Sequence, residues 1–170
     1  MKEASTSEAF DKHKPEACVF VISVDKDGKP SGMACARAMK CSRKPGIYAV
    51  ALWKDGHTQK LIRESKEFVV AVANKSLKKE LTYFGSVSGK NVDKFKESGI
   101  ETEKAEFIKS PLIKNATINF ECKLINEVEV GEHILFIGEI LVSYINEDKD
   151  ILFNLGSEGG VRKYMDIPKQ

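Results

Sequence analysis

The chain has 170 residues and a mass of 18.9 kDa, which is the size of one ordinary folding domain. Its content of 42% hydrophobic residues excludes a disordered segment, and a chain of this length buries enough surface to fold without disulfide or metal supports. The chain has 27 lysines and arginines and 25 acidic residues, and this near balance of charge predicts no nucleic-acid partner.

The first 16 residues form a polar, charged segment, and we expect residues 17–170 to form a single domain. Neither a signal peptide nor a transit peptide is recognisable at the start, which predicts a cytoplasmic protein. The longest apolar runs are too short or too interrupted to cross a bilayer, so no membrane partner is expected. The four cysteines contain no C-x-x-C pair and the three histidines are scattered, which predicts reduced thiols and no metal site.

The first half of the chain predicts strands joined by tight turns. Residues 18–24 read CVFVISV, a β-branched run that ends in an Asp-Gly turn at 25–28, and this pattern favours a hairpin. Two more strands are predicted at 46–53 and 68–73. The apolar spacing between them predicts a short helix at 58–65.

Two further short helices are predicted at 76–84 and 91–97, ending at Gly85 and Gly99. The sequence then changes to the two-residue period of strands. It predicts long strands at 117–130 and 133–146, joined by a turn at 131–132, and a last short strand at 151–154. Because strands outnumber helices and do not alternate with long ones, the pattern favours a mainly β fold, a closed antiparallel barrel with short inserted helices.

Two motifs indicate a place where an anion could bind. His57 and Thr58 stand at the start of a predicted helix, where free N–H groups favour a phosphate, although a simple threonine cap is the alternative. The segment 85–90 reads GSVSGK, and its backbone could hold a polar ring or could be a plain loop. Its G-x3-GK spacing and the following Asn91 exclude a nucleoside triphosphatase. The side chains offer no obvious nucleophile or acid–base pair, which favours chemistry by a cofactor.

Five segments, in this order, resemble the flavin reductase-like family of FMN-binding split barrels, in particular its flavoredoxin type. They are CVFVISVDKDGKPSGMACA, PGIYAVALWKDGHTQKLIRESKEFVV, GSVSGKNVDKF, FECKL and GEHILFIGEI. The resemblance spans about residues 17–155. It implies a split, Greek-key antiparallel β-barrel that forms a homodimer and binds FMN without a covalent bond. It also implies transfer of hydride or electrons between NADH, NADPH or a redox protein and an acceptor.

The resemblance further implies the residues that would contact FMN. The segment beside the flavin ring would be Met33, Ala34, Cys35 and Ala36. The ribityl chain and phosphate would be held by Ala51, Leu52, Trp53, Lys54, His57 and Thr58. The polar edge of the flavin would be met by Ser88, Gly89 and Lys94, and the residue near the hydride donor or acceptor, the catalytic candidate, would be His133.

Lys94 is also a candidate for stabilising the negative charge of a reduced flavin, with a solvated surface lysine as the alternative. Three positions depart from the family pattern, namely Ser31, the Pro45-Gly46 step and Glu132, and they leave the accepted partner open. Two other functions stay open at this point. One is an FMN electron carrier without nicotinamide turnover, and the other is a barrel that binds a different small molecule without redox chemistry.

Overall fold

A computed structural model describes residues 1–167 of the chain. The helices are α1 (Thr6–Lys12), α2 (His57–Ser65), α3 (Lys78–Ser86) and α4 (Lys94–Ser98), and a 3-10 turn at Lys75–Leu77 precedes α3. The strands are β1 (Glu16–Ala17), β2 (Val19–Val24), β3 (Pro30–Cys35), β4 (Ala38–Arg43), β5 (Gly46–Trp53), β6 (Glu67–Val72), β7 (Thr102–Glu103), β8 (Leu112–Ile113), β9 (Ile118–Val130), β10 (His133–Ile145), β11 (Ile151–Glu158) and β12 (Val161–Ile167).

The main sheet has seven strands in the order β3-β2-β6-β9-β10-β5-β4, and each neighbouring pair is antiparallel. This order differs from the chain order, as in a Greek-key barrel. The sheet curls so that β3 contacts β5, although the two strands are not hydrogen-bonded neighbours. The predicted split antiparallel β-barrel with short inserted helices is therefore confirmed.

The two faces of β2 lie in two different hydrophobic cores. Val19 and Val21 lie inside the barrel together with Ile62 of α2. Phe20 and Ile22 point the other way, into a core that α3 covers. Successive strand residues point to opposite faces, so a strand buried on both faces is apolar throughout. This arrangement explains the unbroken run CVFVISV.

The helix ends differ in part from the prediction. α3 includes Gly85 and ends at Ser86, so the predicted stop at Gly85 is wrong; this glycine serves close packing at the site described below. α4 begins at Lys94 rather than at 91, because the Asp93 side chain caps it by accepting the backbone N–H of Lys96. Gly99 caps the C-terminus of α4, as predicted.

The prediction missed α1, β4, β12 and the two-residue strands β1, β7 and β8, and it ended β11 four residues early. β11 and β12 pair with each other, and β1 pairs with β11, to form a separate three-stranded sheet from the two ends of the chain. Most residues of β12 are exposed, so the strand lacks the alternation from which strands are predicted. α1 buries none of its residues. None of the helices within residues 1–167 is long and apolar enough to span a membrane.

Candidate functional site

A cavity of about 790 Å³ lies between one end of the barrel, the inserted helices and the terminal strands. This volume falls in the range of small-molecule and cofactor sites. Most of the residues predicted for the site line its wall, namely Met33, Ala34, Cys35, Ala36, Ala51, Trp53, His57, Thr58, Ser88, Gly89, Lys94 and His133. The structure therefore brings together residues that are far apart in the chain, at 33–36, 51–58, 88–94 and 133.

Leu52 and Lys54 do not line this cavity. Leu52 alternates with Ala51 and Trp53 along β5, so its side chain points into the barrel core, where it is fully buried. Lys54 follows β5, and its ammonium lies 2.8 Å from a carboxylate oxygen of Glu129. We assign neither residue to ligand binding.

The start of α2 presents unpaired backbone donors to the cavity. Gly56 is the N-cap, and no side chain among the described residues caps the helix, so the predicted alternative of a threonine cap at Thr58 does not hold. The first N–H groups of a helix have no partner within the helix and attract an anion. His57 and Thr58 line the cavity at this point. The arrangement suits a phosphate.

Gly89 lies so close to β3 and α2 that a side chain would not fit. A Cβ at this position would lie 2.2 Å from Oγ of Ser31 and 3.0 Å from Cδ2 of His57. Oγ of Ser31 is buried and has no hydrogen-bond partner among residues 1–167. A buried hydroxyl without a partner costs free energy, and this cost accompanies the close approach of Gly89 to β3.

Lys94 is buried, with 4% of its surface exposed, so the alternative of a solvated surface lysine does not hold. Its ammonium donates to the carbonyl oxygens of Gly32 and Phe84, both at 2.8 Å, and it forms no ion pair with residues 1–167. Burial lowers the pKa of Lys94 to about 8, so the group is still mostly charged at neutral pH. An ammonium has three donors, which leaves one for a group in the cavity.

Two imidazoles on the wall are held in a neutral state. His133 packs on Trp53 with 4.5 Å between ring centroids. Burial lowers the pKa of His133, and the positive charge of Arg37 lowers it further. Burial also lowers the pKa of His57, with a further contribution from the charge of Lys90. Neutral imidazole can both donate and accept a hydrogen bond.

The cysteines on the wall are neutral thiols. Burial raises the pKa of Cys35 to about 12 and that of Cys18 to about 11, so neither forms a thiolate at neutral pH. The thiolate is the reactive form of cysteine. Cys35 therefore contributes packing at this wall. A separate observation concerns metals: no cluster of three or more metal-ligating side chains occurs in the described part of the chain.

Sequence reasoning missed the part of the wall that the chain ends supply. The missed residues include Phe10, Lys14, Asn154, Arg162 and Tyr164, and Arg37, between β3 and β4, was missed as well. One signal was present, since Phe10 is the single aromatic residue in the polar segment 1–16. Arg162 and Tyr164 gave no signal, because β12 does not show a strand pattern.

Comparison with known proteins identifies the family. Residues 14–158 match the model of the flavin reductase like domain. An uncharacterized protein of Archaeoglobus fulgidus is 36% identical over 66% of this chain and 64% of its own length. A ferric-chelate reductase (NAD(P)H) of the same organism is 26% identical over 85% of this chain and 84% of its own.

The solved structure of a flavoredoxin from Desulfovibrio vulgaris superimposes with a TM-score of 0.80 at 26% identity, covering 100% of this chain and 95% of that one. The chain matches less than two thirds of the length of the A. fulgidus uncharacterized protein. The family model, by contrast, covers most of the chain. The chain therefore belongs to the family of proteins with a flavin reductase like domain.

Proposed function

We propose that this protein binds FMN in the cavity and passes hydride or electrons from a reduced nicotinamide, or from a redox protein, to an acceptor. The observation that carries the proposal is one cavity that contains both the uncapped start of α2 and the buried ammonium of Lys94. FMN carries a phosphate at one end and, when reduced, negative charge on its ring at the other. The two positive positions of the cavity fit these two groups.

The phosphate would be bound at the start of α2. The backbone N–H groups of the first turn are directed along the helix axis, and the hydroxyl of Thr58 adds a donor beside them. Charge-assisted hydrogen bonds of this kind contribute about 1.5 to 3 kcal/mol each. The segment from Met33 to Ala36 would lie along the ring, where small side chains allow the backbone to approach.

The polar edge of the ring would face Ser88, Gly89 and Lys94. Lys94 would hold positive charge where negative charge develops on reduction, and its position is fixed by two carbonyl acceptors. His133 would contact the hydride donor or acceptor, to which its neutral imidazole can donate or accept a hydrogen bond. When bound, a flavin supplies the hydride chemistry that these side chains lack.

The proposal is tested on purified protein by titration with FMN, FAD and riboflavin, followed by mixing with NADH or NADPH in a stopped-flow spectrometer. We expect tight FMN binding, weaker riboflavin binding and rapid bleaching of the flavin absorbance by a reduced nicotinamide. A protein that binds none of the three flavins would contradict the proposal. Tighter binding of FAD than FMN would contradict the choice of FMN.

A second candidate is an electron carrier that binds FMN and does not turn over NADH or NADPH. The similarity to the D. vulgaris flavoredoxin over the full length of this chain favours it. The same stopped-flow experiment separates the two candidates. Bleaching by a reduced nicotinamide supports the reductase, whereas bleaching only by a reduced redox protein supports the carrier.

We also propose that the protein is a homodimer. Ile145 and Ile167 are exposed and share an apolar groove of about 590 Å³ beside the small terminal sheet. Exposed apolar grooves of this kind are frequent at protein–protein interfaces. The cytoplasmic location stays a prediction, as does the division into a polar segment 1–16 and a single domain from residue 17.

A further inference from the structure

The two ends of the chain form a part of the cavity that the proposed flavin contacts leave unused. We call it the terminal lobe, and it is lined by Phe10, Lys14, Asn154, Arg162 and Tyr164. We propose that the terminal lobe binds a phosphate group of a nucleotide substrate through the guanidinium of Arg162. This inference rests on the proposed function, because it names the place where the hydride donor would be recognised.

Gly85 lies between the terminal lobe and the segment Met33–Ala36, which is proposed to lie along the flavin ring. A Cβ on Gly85 would lie 3.0 Å from Nη1 of Arg162 and 3.3 Å from the Cβ of Ala34. Ala34 belongs to the segment proposed to lie along the flavin ring. The guanidinium and this segment are thus separated by about the width of one small residue. A molecule whose phosphate binds Arg162 can therefore extend its other end to the ring.

The charges of the terminal lobe leave Arg162 available. Lys14 lies 2.5 Å from a carboxylate oxygen of Glu16, which also accepts a hydrogen bond from Asn154 at 3.2 Å. Arg162 forms no ion pair and no side-chain hydrogen bond with residues 1–167. Asp11 is the other carboxylate on this wall, and it forms no ion pair with Arg162. The guanidinium keeps the planar set of donors that suits a phosphate.

Aromatic rings beside Arg162 favour a nucleotide over an inorganic anion. Phe10 is 67% exposed on a helix that buries none of its residues, and its ring lines the cavity. Tyr164 also lines the cavity, with its hydroxyl 3.2 Å from Oγ1 of Thr82 and the ammonium of Lys78 5.4 Å from its ring centre. The exposed ring of Phe10 provides a surface on which a base can stack, and Tyr164 is half-buried on the same wall.

The first test measures the binding of ADP to the FMN-loaded protein by calorimetry. ADP carries the phosphates and the base without the reactive nicotinamide. We expect Arg162→Met to weaken ADP binding at least tenfold and Arg162→Lys to weaken it less, with FMN affinity unchanged in both. The matched control is Lys163→Met on the same strand, because Lys163 pairs with Glu158 and does not line the cavity. This control should bind ADP as the unmodified protein does.

The second test compares hydride donors in steady-state kinetics. Arg162→Met should raise KM at least tenfold for a phosphate-bearing donor, with little change in kcat. It should not affect reduction by 1-benzyl-1,4-dihydronicotinamide, which has no phosphate. A KM effect on NADH and NADPH alike assigns Arg162 to the pyrophosphate, whereas an effect on NADPH alone assigns it to the 2′-phosphate.

Equal ADP affinity in the unmodified protein and in Arg162→Met would overturn the inference, as would displacement of FMN by ADP. These results differ from failure of the proposed function. If no reduced nicotinamide bleaches the flavin and ADP binding still depends on Arg162, the reductase function fails and the phosphate site stands. If bleaching is rapid and Arg162→Met behaves like the unmodified protein, only the phosphate site fails.

Discussion

Lys94 holds a positive charge inside the protein with two carbonyl oxygens as its partners. Removal of water from a lone charge costs free energy, and two neutral acceptors offset this cost only in part. This cost is the reason why burial lowers the pKa of Lys94 to about 8. An uncompensated cation beside a cavity is a frequent property of functional sites.

The shifted pKa of Lys94 predicts how the stability of the flavin-free protein changes with pH. Its ordinary value is 10.5, so between about pH 8 and pH 10.5 the unfolded chain binds one more proton at this residue than the folded protein does. The cost of the buried charge is complete below pH 8 and is relieved as pH rises. This residue should therefore increase the free energy of unfolding by up to about 1.4 kcal/mol per pH unit in that interval.

The measurement is urea unfolding of the flavin-free protein at pH 7 and pH 9, compared with Lys94→Met. From pH 7 to pH 9, the free energy of unfolding of the unmodified protein should increase relative to that of Lys94→Met. An identical pH dependence of the two proteins would show that Lys94 is not a buried cation.

Lys94→Met should also lower the midpoint potential of bound FMN. In the unmodified protein this charge would stabilise the reduced flavin by about 1.5 kcal/mol, which is less than the value of about 4 kcal/mol for a charge pair about 4 Å apart at an effective dielectric of about 20, because the ammonium already donates to two carbonyl oxygens. This free energy corresponds to a decrease on the order of 30 mV for a two-electron couple. Potentials measured by redox titration, with the exposed Lys96→Met on the same helix as control, test this expectation. An unchanged potential removes Lys94 from the flavin site.

Thr58→Ala should weaken FMN binding by about 1 to 2 kcal/mol, because the variant removes one donor to the phosphate. Riboflavin has no phosphate, so its affinity should not change. Thr58→Ser retains the hydroxyl and should restore most of the FMN affinity. These affinities are measured by fluorescence titration. A loss of equal size for FMN and riboflavin would show that the hydroxyl does not bind the phosphate.

At the scale of elements, two carboxylates attach the loop between β7 and β8 to the outer face of the barrel. The carboxylate of Glu121, in β9, is fully buried and accepts the backbone N–H groups of Glu106 and Phe107, each at 2.8 Å, and the hydroxyl of Tyr144. A second carboxylate, that of Glu67, binds the N–H group of Ser110 at 2.8 Å. The charge of Glu121 is thus compensated by hydrogen bonds to the loop.

Glu121→Gln should lower the free energy of unfolding by about 1.5 to 3 kcal/mol, because the amide group of glutamine directs N–H atoms at donors of the loop. Urea unfolding measures the loss, and amide exchange should become faster at Glu106 and Phe107. The control is Glu127→Gln, also in β9, whose carboxylate pairs with Arg63 at the surface and should contribute less than about 1 kcal/mol. Equal effects of the two variants would contradict this account of the loop.

The elements that the sequence predicted well are those whose own residues determine them. The runs 18–24 and 46–53 are rich in apolar residues that favour strands, so the strands could be predicted without knowledge of their neighbours. Gly99 ends its helix through its own backbone conformation. Gly85 looked like the same kind of stop. Gly85 instead lies inside α3 and approaches Arg162, which is 77 positions away along the chain and comes close only in the folded protein.

The same distinction applies to the site. The wall formed by the barrel could be predicted, because the residues that resemble the family lie in its well-patterned segments. Leu52 and Lys54 were predicted to contact the ligand because the resemblance implied the whole segment 51–54. Strand alternation directs Leu52 into the barrel core, and Lys54 forms an ion pair with Glu129. The terminal lobe depends on the pairing of Glu16 with Asn154. A local sequence pattern cannot predict a contact between residues so far apart in the chain.

At the scale of the whole molecule, we expect the protein to sediment as a dimer of about 38 kDa, twice the chain mass of 18.9 kDa. The groove that contains Ile145 and Ile167 is the proposed contact. Ile145→Lys should place a charge there and shift the equilibrium to the monomer. Light scattering after size-exclusion chromatography measures both masses. A monomeric unmodified protein at micromolar concentration would contradict the dimer.

The small sheet formed by β1, β11 and β12 also bears on how the molecule loses its function. β1 has only two residues, and it joins parts of the chain that are separated by nearly the whole sequence. Segments held by so few hydrogen bonds open before a seven-stranded sheet does. Mild heating or a protease cut near β1 would then release the wall that carries Phe10 and Lys14, while the barrel stays intact. Under the proposed function, such a preparation would still bind FMN and would bind its electron donor more weakly.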